Sequence, residues 1–105
     1  MIHHVVFYEL NPGSEAAVLE ELVRSSRSLL LKIPEVLTVR SGRNVDPESK
    51  WGFFCAIEVE SRDKLRITLD DPFYLKFVQK HIAPHTCGEF AMDFELDPSR
   101  ALKYS

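Results

Sequence analysis

Four segments of the chain show the alternation of apolar and polar residues, or the enrichment in β-branched and aromatic residues, that is typical of β-strands. The clearest segment is 51–60, in which every odd-numbered position is apolar. Turn-forming residues follow the first segment, at Asn11-Pro12-Gly13. The predicted strands are residues 2–10, 36–41, 51–60 and 89–96.

A first helix is predicted over residues 15–31, where apolar residues recur at near-helical spacing. Ser14 precedes this segment and offers a side-chain oxygen for the helix N-cap. The helix is expected to end before Pro34, because a proline disfavours helical geometry in the residue before it.

A second helical region is predicted in two parts. Ser61 is the expected N-cap of a short helix over residues 62–69. Asp71 is the expected cap of a further helix with Pro72 at its first position, where the missing N–H costs little. Pro84 closes the region, because a proline cannot continue a helix without loss of a hydrogen bond.

The resulting order is β-α-β-β-α-β, which is typical of the α+β class and of the ferredoxin-like fold. This order places both helices on one face of a four-stranded antiparallel sheet. The opposite face also carries apolar side chains, and at ~25 cal/mol per Å² their exposure to water is costly. Because two-fold dimers are the commonest oligomers, we expect a homodimer. The predicted interface residues are Val5, Phe7, Phe54 and Ala56.

Composition and charge are those of one ordinary globular domain. The chain has 105 residues, of which 45% are hydrophobic and 28% are charged. A net charge of −3 argues against nucleic-acid binding, which favours a basic surface. No apolar run approaches the roughly 20 residues of a membrane-spanning helix, so no membrane partner is expected. The domain is placed at residues 1–97 and a polar tail at residues 98–105.

The first residues of the chain predict the cellular location of the protein, and the location predicts the redox state of its two cysteines. Residues 1–5 lack the basic and apolar regions of a secretion signal, so a cytoplasmic location is expected. Cys55 and Cys87 are then expected to be reduced thiols, and Cys55 to pack as a small apolar residue.

His81, His85 and Cys87 are candidate metal ligands, since histidines at i and i+4 on a helix share a face. Pro84 lies between them and interrupts the helix that this spacing needs. No fourth ligand is evident, so the sequence predicts neither a metal nor a cofactor.

Seven short motifs occur in a characteristic order. They are Ile2-x-His4-Val5-Val6, Leu10-x-Pro12-Gly13, Ile33-Pro34-x-Val36, Gly42-Arg43-Asn44, Glu58-Val59-Glu60-Ser61, Asp71-Pro72-Phe73-Tyr74 and Asp93-Phe94-Glu95, where x is any residue. In this the chain resembles the stress-responsive α/β-barrel (Dabb) proteins. The resemblance implies a dimeric α+β barrel, in agreement with the pattern of strands and helices. It implies less about function, because the family contains both enzymes and stress proteins of unassigned activity.

The resemblance also points to candidate site residues. His4 matches a first-strand histidine that lies between sheet and helices in a plant polyketide cyclase of the family. Tyr74 stands where that cyclase has its general base, a histidine. A phenol is a weak base at neutral pH but can donate a hydrogen bond to an oxyanion. Thr68 and Ser26 stand in place of two further tyrosines, so the same cyclase mechanism is not expected.

Three functions are compatible with this sequence. The first is a homodimer that binds a small apolar or aromatic molecule between sheet and helices. The second is a cofactor-independent enzyme, a cyclase-like lyase or a monooxygenase-like protein, with His4 as base and Tyr74 as hydrogen-bond donor. The third is a purely structural stress protein whose own side chains fill the pocket. The predicted pocket residues are His4, Val6, Tyr8, Phe53, Ile57, Tyr74 and Phe77.

Overall fold

The chain folds into a four-stranded antiparallel sheet with its helices on one face, in a computed structural model that describes residues 1–96. The predicted tail at residues 98–105 lies outside these described residues. The elements are β1 (Ile2–Leu10), α1 (Ala16–Leu30), β2 (Thr38–Arg43), β3 (Trp51–Val59), α2 (Arg62–Leu69), α3 (Pro72–Phe77) and β4 (Thr86–Glu95). The strand order is β2-β3-β1-β4. The predicted ferredoxin-like fold is confirmed.

The start of α1 differs from the prediction. Glu15 is the N-cap and makes no side-chain capping bond. The Ser14 hydroxyl donates instead to the carbonyl oxygen of Asn11 at 2.6 Å, within the turn that Gly13 makes with φ 80°. Ser14 as N-cap is therefore wrong, because the turn already uses its hydroxyl.

Both caps predicted in the second helical region are confirmed. The Ser61 side chain accepts a hydrogen bond from the backbone N–H of Lys64, and Asp71 accepts one from that of Phe73 at 2.8 Å. The chain then winds through one π-helical turn, Val78–Ile82, in which the Ala83 N–H donates to the Val78 carbonyl at 2.8 Å.

Two strand boundaries are set by pairing with neighbouring strands. β2 begins two residues after the predicted start, because the Val36 N–H donates to the Ile33 carbonyl in a turn and not to a strand. β4 begins three residues before its predicted start, because β1 continues to pair with it as far as Leu10 opposite Thr86.

The core lies between the helices and one face of the central strands. Alternate residues of β1 and β3 are buried there against apolar residues of α1 such as Leu22 and Leu30. Burial of each large apolar side chain contributes about 1.5–3 kcal/mol. None of the helices within residues 1–96 is long and apolar enough to cross a membrane.

Candidate functional site

The site is built around a histidine–carboxylate pair between the first and last strands. The register of β1 and β4 places His4 opposite Asp93 on the face that the helices cover. His4 Nδ1 lies 2.5 Å from Asp93 Oδ1. The His4 side chain is 10% exposed and that of Asp93 is 53% exposed, so the pair reaches from the core to the surface. When Nδ1–H donates to the carboxylate, His4 Nε2 is left with its lone pair available.

Two tyrosines lie beside this pair. Tyr8 is 2% exposed on β1, and Tyr74 is half-buried on α3. The side chains that surround the space between them are His4, Val6, Tyr8, Cys55, Ile57, Tyr74 and Phe77. That space is too small to hold a water molecule. The candidate site is therefore a narrow gap in a packed core in this conformation.

Burial sets the protonation of three groups around the gap. It raises the pKa of the Tyr8 and Tyr74 hydroxyls above their usual value, with a smaller contribution from neighbouring acidic groups. It also raises the pKa of the Cys55 thiol to about 12. At neutral pH both phenols are protonated hydrogen-bond donors and the thiol is unreactive. Among the described side chains that line the gap, His4 has the ring nitrogen that can accept a proton, with Asp93 at its Nδ1.

Six of the seven residues predicted for the pocket surround the gap. The seventh, Phe53, lies behind Tyr8, with the two rings stacked at a centroid distance of 5.9 Å. The sequence analysis did not predict two residues of the site: Cys55, which lines the gap, and Asp93, which is hydrogen-bonded to His4. The alternation along β3 places Cys55 on the same face as Ile57 and could have identified it. Asp93 could be identified only from the register of β4 against β1.

The residues in place of the cyclase tyrosines serve the packing of the helices. Thr68 is fully buried, and its hydroxyl donates to the backbone carbonyl of Lys64 at 2.9 Å. Ser26 is also fully buried and lies 2.7 Å from Ser41 on β2, hydroxyl to hydroxyl. Each of these two hydroxyls therefore makes a hydrogen bond within the fold.

His81 and His85 meet at a carboxylate of α1. Their ring nitrogens lie 3.3 and 3.6 Å from the two oxygens of Glu21. Cys87 is directed elsewhere, with its Sγ 3.6 Å from the carbonyl oxygen of Leu10. Over residues 1–96 no group of three His, Cys, Asp or Glu side chains is arranged to hold a metal ion.

The sheet face that no helix covers carries rows of apolar side chains across the strands. One row holds Ala56, Val5 and Met92, and the next holds Phe54, Phe7 and Phe90. The β4 residues are the most accessible of them: Phe90 is 50% exposed and Phe94 is 47% exposed. The sequence prediction named the β1 and β3 residues of this face and missed those of β4, although their alternation in the sequence was visible. We call the set Val5, Phe7, Phe54, Ala56, Phe90, Met92 and Phe94 the open sheet face.

A hydrogen-bonded histidine–glutamate pair borders the open sheet face. His3 Nε2 lies 2.7 Å from Glu58 Oε2, in the row next to Val5. The pair is about three-quarters buried, with 24% and 22% of the two side chains exposed. The face is thus apolar in its middle and polar at this edge, as protein interfaces commonly are.

Comparisons with known proteins agree with this fold. No curated protein matches the sequence. Three solved structures illustrate the likeness. A Dabb family protein with a ferredoxin-like fold from Mesorhizobium loti is 19% identical, with a TM-score of 0.77 over 90% of this chain and 95% of that one. A dimeric ferredoxin-like protein of unknown function from Thermobifida fusca is 21% identical, with a TM-score of 0.80 over 90% of each chain. A hydroxynitrile lyase from Passiflora edulis is 14% identical, with a TM-score of 0.76 over 92% of this chain and 94% of that one.

Sequence identities this low show that the fold is shared, but they do not show that the activity is shared. The family is shown by the sequence itself, since the profile of the stress-responsive A/B barrel domain, Dabb, matches residues 2–96. This match covers both edge strands, both helical regions and the His4–Asp93 pair. The chain belongs to the stress-responsive A/B barrel (Dabb) domain family.

Proposed function

We propose that this protein is a homodimer whose subunits each bind a small apolar or aromatic molecule between sheet and helices. The observation that supports the ligand site is the convergence of His4, Tyr8 and Tyr74 on one gap with otherwise apolar walls. Asp93 lies outside this gap and is hydrogen-bonded to His4 Nδ1. Binding sites for small molecules commonly combine apolar walls with a few directed polar groups. The dimer is supported by the open sheet face.

The dimer places the open sheet faces of two copies against each other. Seven apolar side chains of one copy then meet the same seven of the other, as in any two-fold interface. Full burial of each large side chain contributes about 1.5–3 kcal/mol, before the entropy lost on association is subtracted. Structurally similar chains, such as that from Thermobifida fusca, are described as dimeric.

Light scattering at micromolar concentration tests the dimer. The wild-type protein is expected at twice its chain mass of 12.1 kDa. Val5→Lys places a charge in the middle of the open sheet face and should give a monomer, because a buried unpaired charge is strongly unfavourable. Ile67→Lys is the matched control, since Ile67 is 49% exposed on α2, away from that face. A wild-type monomer at this concentration would refute the dimer.

Ligand entry requires movement of the side chains around the gap. Tyr74 and Phe77 lie on α3, a six-residue helix followed directly by the π-helical turn. π-Helical turns occur frequently at functional sites. A displacement of α3 away from the sheet would widen the gap and leave the tyrosine hydroxyls and His4 Nε2 facing the ligand.

A panel of small aromatic compounds in a thermal-shift assay tests the ligand site. A binder at about 100 times its Kd stabilises the folded state by roughly 2.7 kcal/mol. Tyr74→Phe removes one hydroxyl and should reduce the shift, whereas Lys76→Gln, on the exposed side of the same helix, should leave it unchanged. His4→Ala removes the second polar group. A binder whose shift survives both Tyr74→Phe and His4→Ala does not occupy this gap.

An enzymatic role of the same site is a second candidate, and the His4–Asp93 pair favours it. A histidine whose Nδ1 is held by a carboxylate is oriented to accept a proton at Nε2. Tyr74, protonated because of its burial, would donate a hydrogen bond to a developing oxyanion. Turnover of the best binder that persists in both His4→Ala and Tyr74→Phe would eliminate these roles.

The third candidate is a purely structural protein, and the small size of the gap favours it. If no compound of the panel shifts the melting temperature and the dimer persists, the packed core around His4 serves stability alone. The two experiments are independent, because the open sheet face and the gap lie on opposite sides of the sheet.

A further inference from the structure

A groove of about 560 Å³ lies on the surface between α1 and the end of β2. It shares no lining residue with the gap at His4 and lies outside the open sheet face. Its volume falls in the range of about 300–1,000 Å³ that is usual for small-molecule sites. The lining residues are Ala16, Leu19, Glu20, Val23, Arg24, Arg27 and Arg43.

The floor of the groove is apolar. Leu19 and Val23 lie one helical turn apart on α1 and are half-buried, since each also packs against the core. Their remaining exposed surface faces the groove, together with Ala16. An apolar chain or ring placed here would cover surface that now meets water.

The rim of the groove is positively charged. Arg24 and Arg27 are three residues apart on α1, which places them on neighbouring positions of one helix face. Arg43, at the end of β2, supplies a third guanidinium from across the groove. Glu20 is the one acidic residue of the lining, so the groove carries a formal charge of +2 in a chain of net charge −3.

Within residues 1–96, none of these three arginines forms an ion pair with a carboxylate. Among the ion pairs formed within residues 1–96, the one that includes an arginine joins Arg66 to Asp63. Guanidinium groups bind carboxylates and phosphates through paired hydrogen bonds, and such charge-assisted bonds are stronger than neutral ones. Three guanidinium groups that form no ion pair within the described part of the chain, placed over an apolar floor, are complementary to an anion with an apolar body.

We propose that this groove binds a small amphipathic anion. Its carboxylate or phosphate head lies between Arg24, Arg27 and Arg43, and its apolar part lies on Leu19 and Val23. Carboxylate and phosphate share the chemistry that arginine recognises, so the experiment compares the two. The site is distinct from the gap at His4, and each can be occupied without the other.

Isothermal titration calorimetry at low ionic strength tests the proposal with octyl phosphate, octanoate, octanol and inorganic phosphate. Octyl phosphate or octanoate is expected to bind, with an affinity that falls as salt is added. Octanol, which lacks the charge, and inorganic phosphate, which lacks the chain, are each expected to bind at least about tenfold more weakly. The stronger of the two anions identifies the preferred head group.

The triple substitution Arg24→Gln, Arg27→Gln and Arg43→Gln should weaken binding of the preferred anion by at least about tenfold. All three side chains are exposed, so the melting temperature should change little. Arg66→Gln, an exposed arginine on α2, is the matched control and should bind as the wild type does.

Three results would overturn the proposal: no binding of either amphipathic anion, equal binding by the triple variant, or octanol or phosphate binding as tightly as the anions. Light scattering on the same samples separates this outcome from that of the dimer. If the anion does not bind and the dimer is intact, only the proposal for the groove is refuted. If the protein is a monomer and still binds the anion, only the proposed dimer through the open sheet face is refuted.

Discussion

His4 Nδ1 and Asp93 Oδ1 lie 2.5 Å apart although the two residues are 89 positions apart in the chain. The pair joins the first strand to the last, and it joins a buried imidazole to a carboxylate on an edge strand. It holds the ring of His4 in one orientation and satisfies one of its nitrogens. The stability of the β1–β4 pairing and the chemistry of the candidate site therefore depend on the same hydrogen bond.

Asp93→Ala should lower the free energy of unfolding by about 1–2 kcal/mol, because it leaves a buried imidazole nitrogen without its partner. Glu95→Ala is the control, since Glu95 is exposed on the same face of β4. Its effect should stay within about 0.5 kcal/mol. Urea unfolding monitored by circular dichroism measures both. Equal losses in the two variants would show that the hydrogen bond adds nothing to stability.

Alkaline pH should destabilise the protein through Cys55, whose pKa burial raises from 9.0 to about 12. Above about pH 9 the unfolded chain releases this proton while the folded chain keeps it. The stabilisation is complete below pH 9, and it falls by up to about 1.4 kcal/mol per pH unit as pH rises toward the folded-state pKa.

Cys55→Ala should flatten this decline, although it also removes some packing and lowers stability at neutral pH. Urea unfolding between neutral pH and about pH 10.5 measures the slope. Cys87→Ala is the matched control, because Cys87 is exposed. A slope that is the same in the wild type and in Cys55→Ala would contradict the prediction. Tyr8 and Tyr74 contribute in the same direction at higher pH.

Phe90→Asp should weaken the proposed dimer, because Phe90 extends the open sheet face onto β4. We expect the dimer dissociation constant to rise by at least about tenfold. Sedimentation velocity over a concentration series measures it. Leu75→Asp serves as control, since Leu75 is 43% exposed on α3. Dissociation constants that match in Phe90→Asp and the wild type would exclude β4 from the interface.

Ser61→Ala should remove the N-cap of α2 and lower stability by about 1 kcal/mol. In a domain of this size that loss lowers the melting temperature by about 4–8 °C. Ser14→Ala should have a smaller effect, because Ser14 bonds within an exposed turn and leaves the cap of α1 to Glu15. Melting curves recorded by circular dichroism compare the two, and a larger effect at Ser14 would contradict this assignment.

The sequence predicted well those features that depend on neighbouring residues. The caps at Ser61 and Asp71 are contacts over two or three residues, and both were identified from residue type alone. The predicted N-cap at Ser14 was wrong because of another local contact. Its hydroxyl donates to the carbonyl oxygen of Asn11, three residues before it. The first residues of β2 and β4 were predicted wrongly. Where a strand begins depends on its pairing with the neighbouring strand, which local periodicity does not describe.

The sequence by itself determined which residues share a face of each strand, since alternation along a strand follows from its geometry. That was enough to place four strand residues of the gap (His4, Val6, Tyr8 and Ile57) on one side of the sheet and four residues of the open sheet face on the other, whereas Tyr74 and Phe77 lie on α3. Only the tertiary structure decided what those faces meet. Register brings Asp93 to His4, helix packing closes the gap to less than the size of a water molecule, and the approach of β2 to α1 adds Arg43 to Arg24 and Arg27. These are contacts between distant parts of the chain, whose positions are set by the packing of the whole core and not by any local pattern.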